Sequence, residues 1–248
     1  GAVVAIAGTV ACALIGSHGL AIALAAGLGA ALLCGVWNGL LVSALGLQPI
    51  IATLILMVAG RGLAQLLADG QILTVYEPAS FFWLGGGWLL GLPVSLFVVA
   101  AVAGVTALLL RRTALGLFIQ AVGINPVAAR LAGVHTAAVV GFVYVYCSLG
   151  AGLAGLLIAS NIKSADANNA GLLLELDAIL AVTLGGGQLS GGRFSLVGSL
   201  IGALILQTLT STIYALGVPP QVTMVVKAVV VFAVCISQSP VWTARRPA

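Results

Sequence analysis

Few residues of this chain have a type and spacing that could support catalysis. Glu175 and Asp177 are only two residues apart, but on a helix that spacing turns them to different faces. His18 and His135 are single and lack an HExxH partner, which argues against a metal site. The sequence also contains no GxxxxGK[ST] phosphate loop. We therefore expect no catalytic, cofactor-binding or metal-binding residue.

Glycines and cysteines give two further candidate sites. The glycine-rich run 185–193 resembles a nucleotide-binding loop in composition only, because no strand precedes it, and a turn or helix break explains it better. Four cysteines lie singly within apolar runs without CxxC spacing. We expect them to be small buried side chains rather than disulfides or metal ligands. They are Cys12, Cys34, Cys147 and Cys235.

The composition excludes most soluble classes. Of 248 residues, 62% are hydrophobic and 6% are charged, with a mean hydropathy of +1.26. Soluble domains have about 45–50% apolar and about 25% charged residues. The net charge of +4 comes from scattered Lys and Arg, not from the dense basic surface that nucleic acids require. The sequence predicts a polytopic membrane protein. Because it begins at Gly1 inside an apolar stretch, we expect a fragment whose first spans are missing.

The apolar runs predict an all-α bundle of about eight spans or partial spans, forming one membrane domain over 1–248. Helices are favoured over a barrel because the apolar residues are continuous and Gly and Ala are frequent. One run is too short to cross comfortably, which predicts a broken or re-entrant segment near 175–195. The expected runs are about 1–16, 20–46, 50–68, 89–110, 134–160, 175–187, 196–214 and 220–238.

The charges predict an orientation. Arg111, Arg112 and Arg130 share one short loop, and Arg245 and Arg246 close the chain. Short loops rich in Lys and Arg stay in the cytoplasm. Four predicted spans separate the loop from the C-terminus, so both lie on that side. The same count places Arg193 inside and the following residues outside: Asp69, Glu77, Lys163 and Asp166.

Two pairs of glycines predict close helix packing. Gly35 and Gly39, like Gly198 and Gly202, are four residues apart and share one helix face. We favour packing within one subunit over a dimerisation face.

A short capped helix is predicted inside the arginine-containing loop. Asn125 is a good N-cap, Pro126 suits the first turn, and Gly133 permits the end. Ala128 and Ala129 would give it a shallow face. Such a helix could enter a cleft of another protein or lie on the membrane surface, and the residues alone leave both open.

The stretch 121–133 resembles the ATPase-coupling loop of sugar ABC-importer permeases of the ribose/xylose/galactose branch, so we expect a cytoplasmic coupling loop over 111–133. Other stretches are similar in matching order: WNGLLV at 37–42, QPIIATL at 48–54, GRG at 60–62, LDAILAV at 176–182 and GGG at 185–187. ADANNAG at 165–171 and MVVKAVVV at 224–231 are most similar to the galactofuranose-importer permease of that branch. The resemblance covers essentially the whole chain and lacks roughly the family's first two spans.

The resemblance implies a multi-pass permease subunit of the bacterial inner membrane that carries a monosaccharide, galactofuranose or a related pentose or hexose. It implies that this chain binds no cofactor, because ATP is used by separate cytoplasmic ABC ATPase subunits. The other implied partners are a second permease subunit, identical or related, a periplasmic sugar-binding protein and membrane lipid. The implied coupling residues are Gly123, Asn125, Pro126, Ala128, Ala129, Arg130 and Gly133.

Polar residues within the apolar runs are candidates for a sugar path, since sugars need several hydrogen-bond donors and acceptors. Each could equally form an interhelical hydrogen bond. These candidates are Asn38, Gln48, Thr53, Arg61, Gln65 and Gln207. The main alternative function is an ion-coupled secondary transporter, which would need ionisable groups at the midplane. The candidates for such a group inside or beside spans are Arg61, Glu175, Asp177 and Lys227.

Overall fold

The computed structural model describes residues 1–76, 78–187, 191, 194–217, 225–226, 228–229 and 232. Among them are ten helices and four two-residue strands, which fall into two compact units, Gly1–Leu172 and Leu173–Ala248. The helices are α1 (Ala2–His18), α2 (Leu20–Ser43), α3 (Pro49–Leu67), α4 (Ala79–Gly86), α5 (Val94–Arg112), α6 (Ala114–Ile124), α7 (Pro126–Leu131), α8 (Thr136–Ile162), α9 (Leu174–Leu184) and α10 (Leu196–Ala215). The strands are β1 (Leu73–Thr74), β2 (Trp88–Leu89), β3 (Leu92–Pro93) and β4 (Ser164–Ala165).

The long helices confirm the predicted all-α membrane bundle. Five of the described helices, α2, α3, α5, α8 and α10, are long and apolar enough to cross a membrane, and α1 and α6 are shorter apolar helices. The expected run at 220–238 lies mostly outside the described residues. The single domain over 1–248 stays a prediction.

Helices α1, α2 and α8 form the core of the first unit, and glycines let them pack closely. A Cβ on Gly35 would lie 2.8 Å from the Cα of Val145, and one on Gly39 would lie 3.2 Å from the Cα of Gly141. Larger side chains at these positions would push α2 and α8 apart. The first predicted glycine pair therefore packs within the subunit.

Helix α4 lies where the sequence predicts only an external connection. The Phe81 ring of α4 is completely buried, and Ser160 of α8 forms two hydrogen bonds with the backbone of α4. The Ser160 hydroxyl donates to the Phe81 carbonyl (2.5 Å) and accepts from the Gly85 N–H (2.7 Å). Helix α4 has only eight residues, too few to cross a bilayer, so a search for long apolar runs does not predict it. Its position depends instead on the buried Phe81 ring and on the hydrogen bonds to Ser160.

Strands β1 and β4 join two loops that are about 90 residues apart in sequence. They pair antiparallel, with Leu73 opposite Ala165 and Thr74 opposite Ser164. Next to this ladder, the Lys163 ammonium lies 4.9 Å from the centroid of the Phe82 ring, a cation–π contact. The loops that hold Asp69 and Asp166 therefore lie together.

Helix α8 separates the two groups of charges in the first unit. Its 27 residues span about 40 Å. Lys163 follows its last residue, whereas Arg130 bonds to its first residue, Thr136. The predicted segregation of charge is thus seen for the described residues. Which end is cytoplasmic stays a prediction. Four charges of the orientation argument lie outside the described residues: Glu77, Arg193, Arg245 and Arg246.

In the second unit, α9 is short and ends at glycines, in agreement with the predicted broken segment near 175–195, of which residues 188–190 and 192–193 lie outside the described residues. Its 11 residues span about 16 Å, roughly half of the hydrocarbon core of a bilayer. Gly186 follows with φ +81°, a conformation that ends helices readily. Gly198 and Gly202 of α10 pack directly against the end of α9, so the second predicted glycine pair also packs internally.

Candidate functional site

The segment predicted as a coupling loop, 111–133, contains two short helices. Arg111 and Arg112 end α5, and Thr113 turns the chain with an extended backbone (φ −120°, ψ 156°) before α6 begins. Helix α6 was not expected, because the arginines beside this 11-residue apolar stretch favoured a loop. Gly123 belongs to α6 and is exposed. The helix predicted from the capping residues is α7.

The start of α7 confirms the predicted cap. The Asn125 side-chain oxygen accepts hydrogen bonds from the backbone N–H groups of Val127 and Ala128, both at 3.0 Å. Pro126 occupies the first turn, where its missing N–H leaves no bond unmade. Two of the otherwise unpaired N–H groups of the helix are thereby satisfied.

The end of α7 also agrees with the prediction. Gly133 has φ +86°, and the Val134 N–H donates to the Ala129 carbonyl at 3.0 Å. Arg130, in the last turn, donates from its guanidinium to the Thr136 hydroxyl at 3.3 Å. A side-chain hydrogen bond therefore links the end of α7 to the first turn of α8.

The faces of α7 differ from the prediction at one residue. Ala129 is only 5% exposed and packs inward, so the expectation that it shares an open face with Ala128 is wrong. The alternation follows from the helix period, which turns neighbouring residues by about 100°. The exposed α7 surface consists of every residue of the helix except Ala129, namely Pro126, Val127 (68% exposed), Ala128, Arg130 and Leu131 (85% exposed). It presents two large apolar side chains, Val127 and Leu131, beside the charged Arg130.

Three of the sugar-path candidates lie apart from one another or are already bonded. Asn38 is 6% exposed, and its side-chain oxygen has no hydrogen-bond partner among the described residues. Gln48 is exposed at the N-cap position of α3. Thr53 donates its hydroxyl to the Pro49 carbonyl of its own helix at 2.9 Å. The contacts of Asn38, Gln48 and Thr53 therefore do not bring these three side chains together in one sugar-binding site.

Arg61 and Gln65 are brought together, one turn apart on α3, against the turn formed by residues 166–171. The Arg61 guanidinium donates to three backbone carbonyls, those of Asn168 (2.5 Å), Ala167 (3.4 Å) and Ala170 (3.5 Å). The Gln65 amide donates to the Asn168 side-chain oxygen at 2.6 Å. Thirteen residues separate Gln48 from Arg61, about 20 Å along the helix. The two ends of α3 therefore do not share a site.

Gln207 belongs to the second unit. It lines a cavity of about 220 Å³ between α9 and α10, together with Asp177, Ala181 and Thr210. Most of the residues that line this cavity are apolar, and its polar lining residues are Asp177, Gln207 and Thr210.

The described residues match one protein family throughout. The family model described as "Branched-chain amino acid transport system / permease component" matches residues 1–235. The chain belongs to this permease family. It is a multi-pass protein of the inner membrane, in agreement with the five long apolar helices.

Three curated relatives of the permease are named for sugars. The galactofuranose transporter permease protein YtfT of Escherichia coli K12 is 52% identical over 240 residues, 96% of this chain and 70% of that protein. The fructose import permease protein FruF of Bifidobacterium longum is 39% identical, over 97% of this chain and 68% of that protein. The ribose import permease protein RbsC of Escherichia coli K12 is 38% identical, over 93% of this chain and 73% of that protein. No solved structure shows a significant match.

The sequence prediction for this permease missed the role of the turn at 166–171. The Asp166 carboxylate accepts from the backbone N–H groups of Asn168 (2.9 Å) and Asn169 (3.2 Å), and from the Asn169 side-chain amide (2.7 Å). That amide, the two N–H groups and the nearby Arg61 charge hold the Asp166 pKa below its usual value. The sequence contained a signal for this turn, because Asp166 with Asn residues two and three positions later favours an Asx turn.

Proposed function

We propose that this chain is the permease subunit of an ATP-binding-cassette importer and forms the path of a monosaccharide across the inner membrane. The observation that carries the proposal is the 52% identity with a galactofuranose permease over 96% of this chain. The fructose and ribose permeases are 39% and 38% identical, which favours galactofuranose among these sugars. The shared substrate class is a monosaccharide.

In this proposal the chain is not an enzyme and binds no cofactor. Separate cytoplasmic ABC ATPase subunits bind and hydrolyse ATP, and they contact the exposed α7 surface. Support comes from the two large apolar side chains that this surface presents, Val127 and Leu131, on a helix that is capped by Asn125 and linked to α8 by Arg130. Apolar groups on a short rigid helix are suited to a groove of a partner protein. Two permease subunits, identical or related, and a periplasmic sugar-binding protein complete the proposed importer.

The alternative, an ion-coupled sugar transporter, has less support. Helices α2, α3, α5, α8 and α10 contain no aspartate or glutamate. Coupling ions are usually bound by ionisable groups or broken helices near the bilayer midplane. The charged residue within α3, Arg61, already donates to three backbone carbonyls. The short helix α9, with Glu175 and Asp177 in its first turn, is the feature that an ion-coupled mechanism would use.

Uptake into proteoliposomes tests the proposal. The full-length permease is reconstituted with the ATPase that co-purifies with it, and labelled galactofuranose is supplied on the sugar-binding protein. We expect uptake with ATP on the ATPase side, and none with a proton or sodium gradient alone. Fructose and ribose are supplied in parallel as matched substrates. Gradient-driven uptake without nucleotide would establish the ion-coupled alternative, and faster uptake of ribose or fructose would change the assigned sugar.

A further inference from the structure

The contacts between α9 and α10 show how deep each residue of α9 lies. Gly202 of α10 packs against the Ala181 carbonyl, and Gly198, nearer the start of α10, packs against Gly185. The residue numbers rise along α10 as they fall along α9, so the two helices are antiparallel. Helix α9 therefore begins near the middle of α10 and ends near the start of α10.

Asp177 consequently lies at the mid-depth of a membrane span. One helical turn beyond the contact of Gly202 with Ala181, it lies beside Leu206, and both residues line the same cavity. The 20 residues of α10 span about 30 Å, the thickness of the hydrocarbon core, and Leu206 is near their centre. Ionisable residues at this depth are costly and usually serve a function, and helices that begin there often border the substrate site of a transporter.

The cavity of about 220 Å³ is lined by one stripe of each helix, with the spacing i, i+3, i+4 and i+7. Three of its side chains are polar. The Asp177 carboxylate accepts hydrogen bonds, and the Gln207 amide both donates and accepts them. The Thr210 hydroxyl donates to the Leu206 carbonyl at 2.8 Å, so its lone pairs remain as acceptors. The other lining residues are apolar: Leu174, Ala178, Ala181, Ala203 and Leu206.

We propose that this cavity is a monosaccharide subsite inside the membrane, in which Asp177, Gln207 and Thr210 determine which sugar hydroxyls are accepted. The inference rests on the proposed function. Sugar hydroxyls donate to the carboxylate and accept from the amide, while the C–H faces of the ring pack against the alanine and leucine wall. A hard cation instead needs a shell of about six oxygen ligands, whereas five of the eight lining residues are apolar. The cavity is also several times larger than the volume of about 30 Å³ that one water occupies in the liquid, which suits a small molecule better than a single ion.

Protection from alkylation tests the subsite on the purified full-length permease, without ATPase, ATP or binding protein. In a background without the native cysteines, Ala203→Cys places a thiol on the cavity wall, and Thr208→Cys places one on α10 outside the cavity. Methyl galactofuranoside should slow labelling by N-ethylmaleimide severalfold at position 203 and leave labelling at position 208 unchanged. Asp177→Asn and Gln207→Leu should each raise the half-protecting sugar concentration about tenfold, because each weakens or removes hydrogen bonds to the sugar.

Uptake into proteoliposomes is the second measurement, with Thr208→Val as the matched control. Asp177→Asn and Gln207→Leu should lower the maximal rate about tenfold and leave the half-saturating concentration of sugar-loaded binding protein within about twofold of wild type, because the cavity lies within the span and not at a docking surface. Thr208→Val should match wild type.

Three results overturn the inference: labelling at position 203 that the sugar does not slow, labelling that sodium chloride slows in place of the sugar (with choline chloride as the salt control), and normal uptake by both variants. Sugar protection at position 203 without ATP-dependent uptake by the wild type would instead refute the proposed function and leave the subsite in place, since the labelling needs no ATP.

Discussion

Replacement of Leu131 by glutamate tests the exposed α7 surface directly. Its side chain is 85% exposed, so the variant loses little inside the permease and its folding stability should change by about 0.5 kcal/mol or less. Fully burying a leucine is worth about 1.5–3 kcal/mol, so covering this exposed fraction contributes about 1.3–2.5 kcal/mol to docking. That corresponds to a Kd about 10- to 70-fold weaker for Leu131→Glu. Desolvation of the new carboxylate adds to the loss.

The assay is titration of the ATPase onto permease held in lipid nanodiscs, followed by sugar-stimulated ATP hydrolysis in the same samples. Tyr76→Glu is the matched control, because Tyr76 is 84% exposed and lies beside the β1–β4 ladder at the opposite end of α8. We expect the control to bind like wild type. A Leu131→Glu permease that inserts normally and binds the ATPase within twofold of wild type would refute the reasoning.

Ala129→Glu is not a suitable substitute in that experiment. Ala129 is 5% exposed, so a glutamate there would bury a charge or push α7 away from its neighbours. Loss of docking would then reflect an altered loop and not a blocked surface. Ala128→Glu, on the exposed side of the same helix, keeps the internal contacts and complements Leu131→Glu.

Asn125→Ala removes both cap bonds and should destabilise α7 by about 0.5–2 kcal/mol, seen as faster amide hydrogen exchange over 126–131, whereas Asn125→Asp should restore protection. Ser160→Ala leaves the buried Gly85 N–H without its acceptor and should lower the free energy of unfolding by about 1–3 kcal/mol, measured as a reduced Tm in detergent. Cysteine at position 120 should react with impermeant reagent only from the cytoplasmic side, and cysteine at position 169 only from the periplasm; the reverse would contradict the orientation. Because its folded pKa is lowered, the ionised Asp166 carboxylate stabilises the turn above its unfolded pKa of about 3.9, and this stability is lost as the pH falls through the lower folded pKa. Protection factors for amide hydrogen exchange over 166–171, which are normalised for the intrinsic exchange rates, should therefore stay constant from pH 8 to 5, and a fall within that range would show that the carboxylate is not ionised there.

The spans and the α7 cap could be predicted because both depend on local sequence. Apolar runs as long as α2 and α8 exceed the length that a bilayer requires, and their boundaries fell within a few residues of the predicted ones. Asn125, Pro126 and Gly133 act on backbone groups within three residues of themselves. Contacts between residues so close in sequence can be predicted from the residue types of a single sequence.

The features that were missed depend on contacts distant in sequence. Helix α4 is held by Ser160, 75 residues from its hydrogen-bond partner Gly85, and the 166–171 turn is held by Arg61 from more than 100 residues away. The inward face of Ala129 depends on how α7 packs onto its neighbours. Sequence alone grouped Arg61 with Asn38 and Thr53 by polarity, whereas the structure separates them by what each one contacts.

The close packing of α1, α2 and α8 has a consequence for biosynthesis. The glycine face of α2 fits against Val145 and Gly141, but about 120 residues separate the end of α2 at Ser43 from the end of α8 at Ile162. At a synthesis rate of about 5–20 residues per second, the ribosome needs roughly 6–24 s to make that stretch. For this interval α2 resides in the membrane before its partner exists, and lipid or the insertion machinery must cover the bare glycine groove. Insertion of α2 and its packing against α8 are thus separate events in time.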